Sequence, residues 1–572
     1  MEQQAGGGRR KKLRLGDILV QQNVVTEEKL QEALKKQRGS GKKLGEIMVE
    51  MNITTEEAIG QALSRQLGYK FININGLQIP DKIIKLIKSD IVKKYTAIPL
   101  GVDEKNPNVL FVAMSDPMDI NAIDDFAIIT NMQIVPVVST TRQIKLQIDK
   151  YYSSADTKKA ADEYAKEREK LLGGGDDEED YSEDVNNSPI VILVKQMIEQ
   201  AVRQRTSDIH IEPMENQVRI RYRIDGALYE RMTYNPSLLP AITARIKIIG
   251  GMDISEKRKP QDGRITQVVD GQEYDIRVSV LPTVYGEKTV MRLTSKTGLT
   301  REKSQLGFRP DELKQFDHIL GNPHGIILVT GPTGSGKSTT LYTALSELNR
   351  EDVNIITVED PVEANIDGIN QVHVNVKAEL TFASALRSIL RQDPDIIMIG
   401  EIRDGETASI AVQASITGHL VVSTLHTNST SGSIGRLIDM GIEPYLLADA
   451  IVGIIAQRLV RRLCPKCKKK MLATDEQKEL LGIPGNKDDI EIYEPVGCDE
   501  CDQTGFKGRI GVYEIMEVTP KLKPYISKKA SAEEIKEVAL SEGMNTLRMS
   551  ATKLVFEGIT SISEMVRVSF DS

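Results

Sequence analysis

The chain has no tryptophan, and aromatic residues make up only 4% of its 572 residues. Proteins that track single-stranded nucleic acid stack bases on aromatic platforms set among basic residues. That class is disfavoured here, and no nucleic-acid partner is expected. Only four cysteines are present, too few to staple a chain of this length, so they are read as thiols or metal ligands. No apolar run approaches the ~20 residues that cross a bilayer. The start, MEQQAGGGRRKKLR, carries basic residues with no apolar segment behind them. A cytoplasmic protein is expected, acting at a membrane only through docking partners. A basic excess is also missing. The formal charge is −8, and Asp176, Asp177, Glu178, Glu179, Asp180, Glu183 and Asp184 place seven negative charges within nine positions. The remainder is nearly neutral and offers no electrostatic footprint for a polyphosphate backbone.

At this length one core does not suffice, and several domains are expected. The N-terminal stretch repeats itself. Leu15-Gly16-Asp17-Ile18-Leu19-Val20 returns as Leu44-Gly45-Glu46-Ile47-Met48-Val49, a period of 29 residues. Thr26 and Thr55 stand at N-cap positions ahead of glutamates and helical apolar spacing, so each copy reads as a helical hairpin. An N-terminal regulatory domain is expected at 1–150, with the repeat at 14–66 and a small α/β module behind it. Residues 151–187 turn Lys/Glu/Ala-rich, then Gly-rich, then acidic, a composition that cannot bury enough surface to fold. They are expected to be a flexible linker. Residues 188–305 alternate, as in Val218-Arg219-Ile220-Arg221-Tyr222-Arg223, and read as an α+β domain rich in arginine. From 306 to 572, apolar strands at 326–330, 355–358, 396–400 and 420–424 alternate with helices, the pattern of a parallel sheet covered on both faces.

Gly331-Pro332-Thr333-Gly334-Ser335-Gly336-Lys337-Ser338 follows the first of these strands and leads through Thr339 into a helix, as a P-loop must. Its backbone N–H groups converge on phosphate, Lys337 reaches the terminal phosphates and Ser338 can ligate Mg²⁺. ATP and Mg²⁺ are therefore the expected ligands. Asp395-Ile396-Ile397-Met398-Ile399-Gly400-Glu401 delivers Glu401 at a strand end, on the metal side of such a site. The other acidic strand end supplies Glu359, Asp360 and Glu363. Each is able to orient the attacking water or hold Mg²⁺, and spacing alone leaves the choice open. Arg387 and Arg391 approach the Glu401 strand from the helix before it and are expected to add positive charge to the nucleotide.

Cys464-Pro465-Lys466-Cys467 and Cys498-Asp499-Glu500-Cys501 use every cysteine in two C-x-x-C knuckles. That is a closed tetrahedral thiolate set for Zn²⁺, structural because no position is left open for chemistry. The lobe it organises is expected at 462–510.

Val358-Glu359-Asp360-Pro361-Val362-Glu363 resembles the Asp box of the type II secretion and type IV pilus ATPases. Thr417-Gly418-His419-Leu420 and Thr424-Leu425-His426-Thr427 resemble their His box. Ser207-Asp208-Ile209-His210-Ile211-Glu212-Pro213 and the segment Arg221–Gly226 resemble the family's second N-terminal domain. The resemblance implies a RecA-like P-loop ATPase core joined to that domain and to a zinc lobe. It implies Glu363 as the water-polarising carboxylate, Glu401 as the Mg²⁺-associated residue, His419 and His426 as links between site and movement, and Arg277 and Arg292 as phosphate-sensing arginines. One of the two arginines is expected to act across a subunit boundary. It further implies a homo-hexamer driving an inner-membrane platform protein with the other pilus assembly proteins, peripherally docked on the cytoplasmic face. A type II secretion ATPase is the alternative within the family, and a nucleic-acid translocase or a cyclic di-GMP-sensing regulatory module is the alternative from another class. The repeat resembles the cyclic di-GMP-binding MshEN repeat, with Arg14, Leu15, Gly16, Leu19 and Gln37 in the first copy and Lys43, Leu44, Gly45 and Gln66 in the second. Lys43 departs from the arginine of that pattern, and an ammonium lacks the guanidinium's planar fork.

Overall fold

A computed structural model describes residues 15–22, 24–37, 42–51, 53–153, 188–295, 301–483 and 489–570. Arg14 and the linker segment 154–187 lie outside the described residues.

The repeat forms two helical hairpins, Leu15–Gln21 with Glu27–Gln37 and Leu44–Glu50 with Glu56–Leu67. Thr55 caps its helix, its side chain accepting from the Ala58 N–H at 3.3 Å. The shared glycine has a packing cause. A Cβ at Gly16 would stand 2.9 Å from Leu30 Cδ1, and one at Gly45 would stand 3.1 Å from Ile59 Cγ2. Leu19, Leu30, Met48 and Ile59 fill the space between the helices. Behind the hairpins, β1 (Ala97–Val102), β2 (Val109–Met114) and β3 (Gln133–Val138) make a three-stranded sheet around its own core.

The next unit is a six-stranded antiparallel sheet of β4 (Thr206–Pro213), β5 (Val218–Ile224), β6 (Ala227–Tyr234), β7 (Gln261–Val269), β8 (Gln272–Thr283) and β9 (Gly286–Ser295), in the order β6-β5-β4-β9-β8-β7. Strand alternation divides its faces. Ile209, Ile211, Ile220, Tyr222, Ile276, Val278 and Met291 share one core with the helices Pro189–Arg203 and Leu239–Ile249. The charged residues between them are left on the opposite face.

The C-terminal unit carries a seven-stranded sheet with β10 (Gly325–Thr330), β11 (Ile355–Glu359), β12 (Asn370–His373), β13 (Ile396–Ile399), β14 (Leu420–Leu425), β15 (Ile451–Leu463) and β18 (Phe506–Glu517), in the order β12-β11-β13-β14-β10-β15-β18. Six strands are parallel and covered on both faces, which accounts for their unbroken apolar runs. The sequence pattern implies a wholly parallel sheet. The structure differs at β18, which is antiparallel to β15 because the cysteine lobe between them, with its ribbon β16 (Lys469–Leu472) and β17 (Glu491–Glu494), turns the chain back on itself. No described helix is long and apolar enough to cross a membrane.

Candidate functional site

Parallel strands bring their carboxyl ends to one edge, and the loops that follow them there build the site. After β10 the chain enters the P-loop, where Gly331, Gly334 and Gly336 have φ of 149°, 80° and 92°. Gly331 is also pressed against β15, since a Cβ there would lie 2.5 Å from the Gln457 carbonyl oxygen. The helix Lys337–Leu348 starts immediately, aiming its N-terminus at the loop. Lys337 Nζ donates to the carbonyls of Gly331 at 2.7 Å and Pro332 at 3.1 Å. Burial brings this ammonium down to about 8, with Glu401 and Glu363 opposing the fall.

At the end of β13, Glu401 receives the Arg403 guanidinium on one oxygen and His426 Nε2 at 3.1 Å on the other. Burial pushes this carboxyl up, but Arg403 and His426 outweigh it and hold it below the usual range. The loop carrying His426 is tied to the base of the P-loop. Thr427 N–H donates to Thr330 Oγ1 at 3.0 Å, and Thr330 Oγ1 donates to the Thr427 carbonyl at 2.7 Å.

Past β11, Glu363 is half-buried, and burial raises its carboxyl, with Glu359 adding to the rise. Arg277 and Arg292 of the same chain and a hydrogen bond with Ser338 oppose it. The two arginines come from a register row across the second sheet. Arg223 on β5 faces Asp208 on β4, Asp208 faces Arg292 on β9, Arg292 faces Arg277 on β8, and Arg277 faces Arg264 on β7. Arg292 Nε donates to Asp208 Oδ1 at 2.9 Å, and Arg264 is paired with Asp275. Sequence reading names only Arg277 and Arg292 from this row. The alternation of Arg219, Arg221 and Arg223 signals a shared face, but only the strand register aligns that face with β8 and β9. Within one chain the positive charge of both guanidinia acts on Glu363 and lowers its carboxyl.

Several other candidate residues are engaged by protein groups. Tyr342 engages one oxygen of Glu359, while Thr357 Oγ1 at 2.6 Å and Gln371 Nε2 at 3.1 Å engage the other. Asp360 is exposed, and its charge acts on Arg403. His419 stands at the opposite end of β14 from His426, the two flanking a six-residue strand and so seven steps apart, ~23 Å at roughly 3.3 Å per residue. There its Nδ1 lies 2.9 Å from the Ala414 carbonyl, closing the end of the helix Gly405–Ile416. Arg387 is engaged by Glu406, and Arg391 turns back onto the Arg387 carbonyl at 2.6 Å. Neither forms a hydrogen bond with the P-loop among the described residues.

The four cysteines do meet. Sγ–Sγ distances are 3.8 Å for Cys464–Cys498, 3.8 Å for Cys467–Cys501 and 3.7 Å for Cys498–Cys501, close to the ~3.8 Å edge of a tetrahedron with ~2.3 Å Zn–S bonds. The N–H groups of Cys498 and Gly505 donate to Cys501 Sγ at 3.3 and 3.2 Å, as suits a thiolate. Near the end of this lobe, the Gly508 N–H donates to Asp225 Oδ2 of the arginine-rich domain at 2.8 Å.

In the N-terminal repeat, Gly16 and Leu19 are buried among the hairpins, which packing alone explains. Lys43 Nζ is held by Asp116 of the α/β module at 2.7 Å, and Gln37 Nε2 donates to the Lys42 carbonyl at 3.3 Å.

A family model described as "Type II/IV secretion system protein" matches residues 183–567. A second, "MshEN domain", matches residues 67–158, the α/β module rather than the helical repeat. Among curated proteins, the type IV pilus assembly ATPase PilB of Myxococcus xanthus is 44% identical, covering 97% of this chain and 98% of its own length. PilB of Pseudomonas aeruginosa is 41% identical, over 88% of this chain and 89% of its own. The type II secretion system protein E of Dickeya dadantii is 47% identical, but over 67% of this chain and 76% of its own.

Proposed function

This chain belongs to the type II/IV secretion ATPase family, and on that premise we propose that it is the ATP-hydrolysing motor of type IV pilus assembly. The observation that carries the reading is similarity to a pilus assembly ATPase along 97% of the chain, N-terminal region included. Type II secretion remains the second reading, favoured by 47% identity over 384 residues.

The P-loop N–H groups and Lys337 hold the triphosphate, and Ser338 and Glu401 would hold Mg²⁺ beside it. The ion supplies charge neutralisation at the β- and γ-phosphates. Glu363, raised by burial and lodged against Ser338, orients and polarises the attacking water. Arg277 and Arg292 place positive charge where negative charge develops, so closure of the arginine-rich sheet over the P-loop is part of the reaction. Release of phosphate weakens that attraction and lets the two halves of the subunit part. In a homo-hexamer docked on the cytoplasmic face of the inner membrane, this opening and closing drives a platform protein that polymerises pilin. Cys464, Cys467, Cys498 and Cys501 would hold a structural Zn²⁺, which would fix the lobe whose Gly508 N–H donates to Asp225. Cyclic di-GMP is the proposed ligand of the N-terminal repeat, tested by titrating residues 1–150.

The reading is tested in a strain lacking the gene. The wild-type chain restores surface pili and Glu363→Gln does not. Restored export of a folded substrate without pili would instead favour the type II reading.

A further inference from the structure

Behind Glu363 lies a buried hydrogen-bonded chain in which Glu359 of the Asp-box segment meets Tyr342 and Gln371 from outside it. Tyr342 is 1% exposed and sits on the P-loop helix, four residues after Ser338. That spacing puts the two on one helix face. The Tyr342 hydroxyl donates to Glu359 Oε2 and accepts the Glu363 N–H at 3.2 Å. Gln371, on β12, also donates to Glu359, and it holds the same loop twice more. Its Nε2 donates to the Ala364 carbonyl at 3.0 Å, and its Oε1 accepts the Ile366 N–H at 2.8 Å.

The loop is therefore pinned at three backbone points by two side chains, both anchored on Glu359. With Thr357 as a further donor, Glu359 is a buried carboxylate satisfied by neutral groups. Burial and the adjacent carboxylate keep the Tyr342 phenol protonated well beyond the ordinary range, so it remains a donor throughout.

We propose that Tyr342 and Gln371, anchored on Glu359, are positioning residues for ATP hydrolysis that fix the Glu363 loop to the helix bearing Lys337 and Ser338. Phosphate ligands and water-orienting carboxylate are thereby referenced to one rigid rod. The inference rests on the reading of Glu363 as the water-orienting group. Tyr342 is buried and its hydroxyl is taken up by Glu359 and the Glu363 N–H, so its loss should degrade the geometry of attack and spare binding.

The test compares steady-state ATP turnover and the affinity for a fluorescent ADP analogue in the full-length chain for Tyr342→Phe, Gln371→Ala, their double variant and Glu363→Gln. Tyr342→Phe removes one oxygen and keeps the ring volume. It is expected to lower kcat about 10- to 100-fold while KM and ADP affinity stay within about twofold. The double variant is expected to fall no further than the worse single variant, because the groups act as one unit. Tyr342→Phe turning over at the wild-type rate, or losing ADP affinity in step with kcat, overturns the inference. If Gln371→Ala does not fold, Tyr342→Phe carries the test alone. If Glu363→Gln keeps its activity, the failure belongs instead to the assignment of Glu363.

Discussion

His426 Nε2 lies 3.1 Å from Glu401 Oε2, joining the loop after β14 to the carboxylate at the end of β13. The next residue, Thr427, is bonded to Thr330 at the entry to the P-loop. The His426 loop is thus bonded both to the Glu401 carboxylate and to the start of the P-loop. His419, its partner in the motif, sits at the other edge of the sheet and serves a helix end.

The two histidines should accordingly separate on mutation. His426→Ala is expected to lower ATP turnover at least about 10-fold, by leaving Glu401 without one of its two partners. His419→Ala is expected to cost about 1 kcal/mol of stability, as for a lost helix-end hydrogen bond, and to leave turnover within about twofold. Thermal melts beside ATPase rates check both.

Mixed assemblies test the location of the arginines. The positive charge of Arg277 and Arg292 acts on Glu363 of their own chain, and arginines working in cis predict that an Arg277→Ala chain mixed with a Lys337→Ala chain recovers no activity. In a trans arrangement some boundaries would pair an intact arginine with an intact P-loop, and activity would return.

The arginine-rich sheet should carry a specific acid sensitivity. Glu212 is buried on its charged face, where Arg221, Arg219 and Lys288 outweigh burial and pull its carboxyl from 4.5 down to about 2. A lowered carboxyl stabilises the fold at all pH above its ordinary range, and the contribution fades as pH falls from about 4.5 toward 2. The melting-temperature gap between wild type and Glu212→Gln should be widest near pH 6 and shrink near pH 3. A gap that grew on acidification would contradict this placement.

Metal analysis should return about one zinc per chain. Cys501→Ser is expected to lose it and melt earlier, because Cys501 Sγ also accepts the Cys498 and Gly505 N–H groups.

How much of this the sequence discloses varies with how local the signal is. The P-loop and the cysteine knuckles are written in consecutive residues, and each appears where its spacing places it. The acidic strand ends are legible as a set, but not the division of labour among Glu359, Asp360 and Glu363. Tyr342 and Gln371, which bond to Glu359 and to the backbone of the Glu363 loop, come from other elements. Tyr342 carried one unused signal, its four-residue spacing from Ser338. The alignment of Arg223, Arg264, Arg277 and Arg292 depends on strand register, which no local pattern reports. The antiparallel β18 follows from the lobe inserted before it. His419 and His426 look equivalent in the motif, and only the direction of β14 tells them apart.

The central claim is that ATP is hydrolysed by an assembled ring using Glu363 over the Lys337 P-loop. ATP turnover of the purified chain, resolved by oligomer size beside Lys337→Ala and Glu363→Gln, tests it most directly. The account expects turnover in the hexamer-sized fraction and its loss in both variants. Equal turnover by monomers, or an active Glu363→Gln, would contradict it.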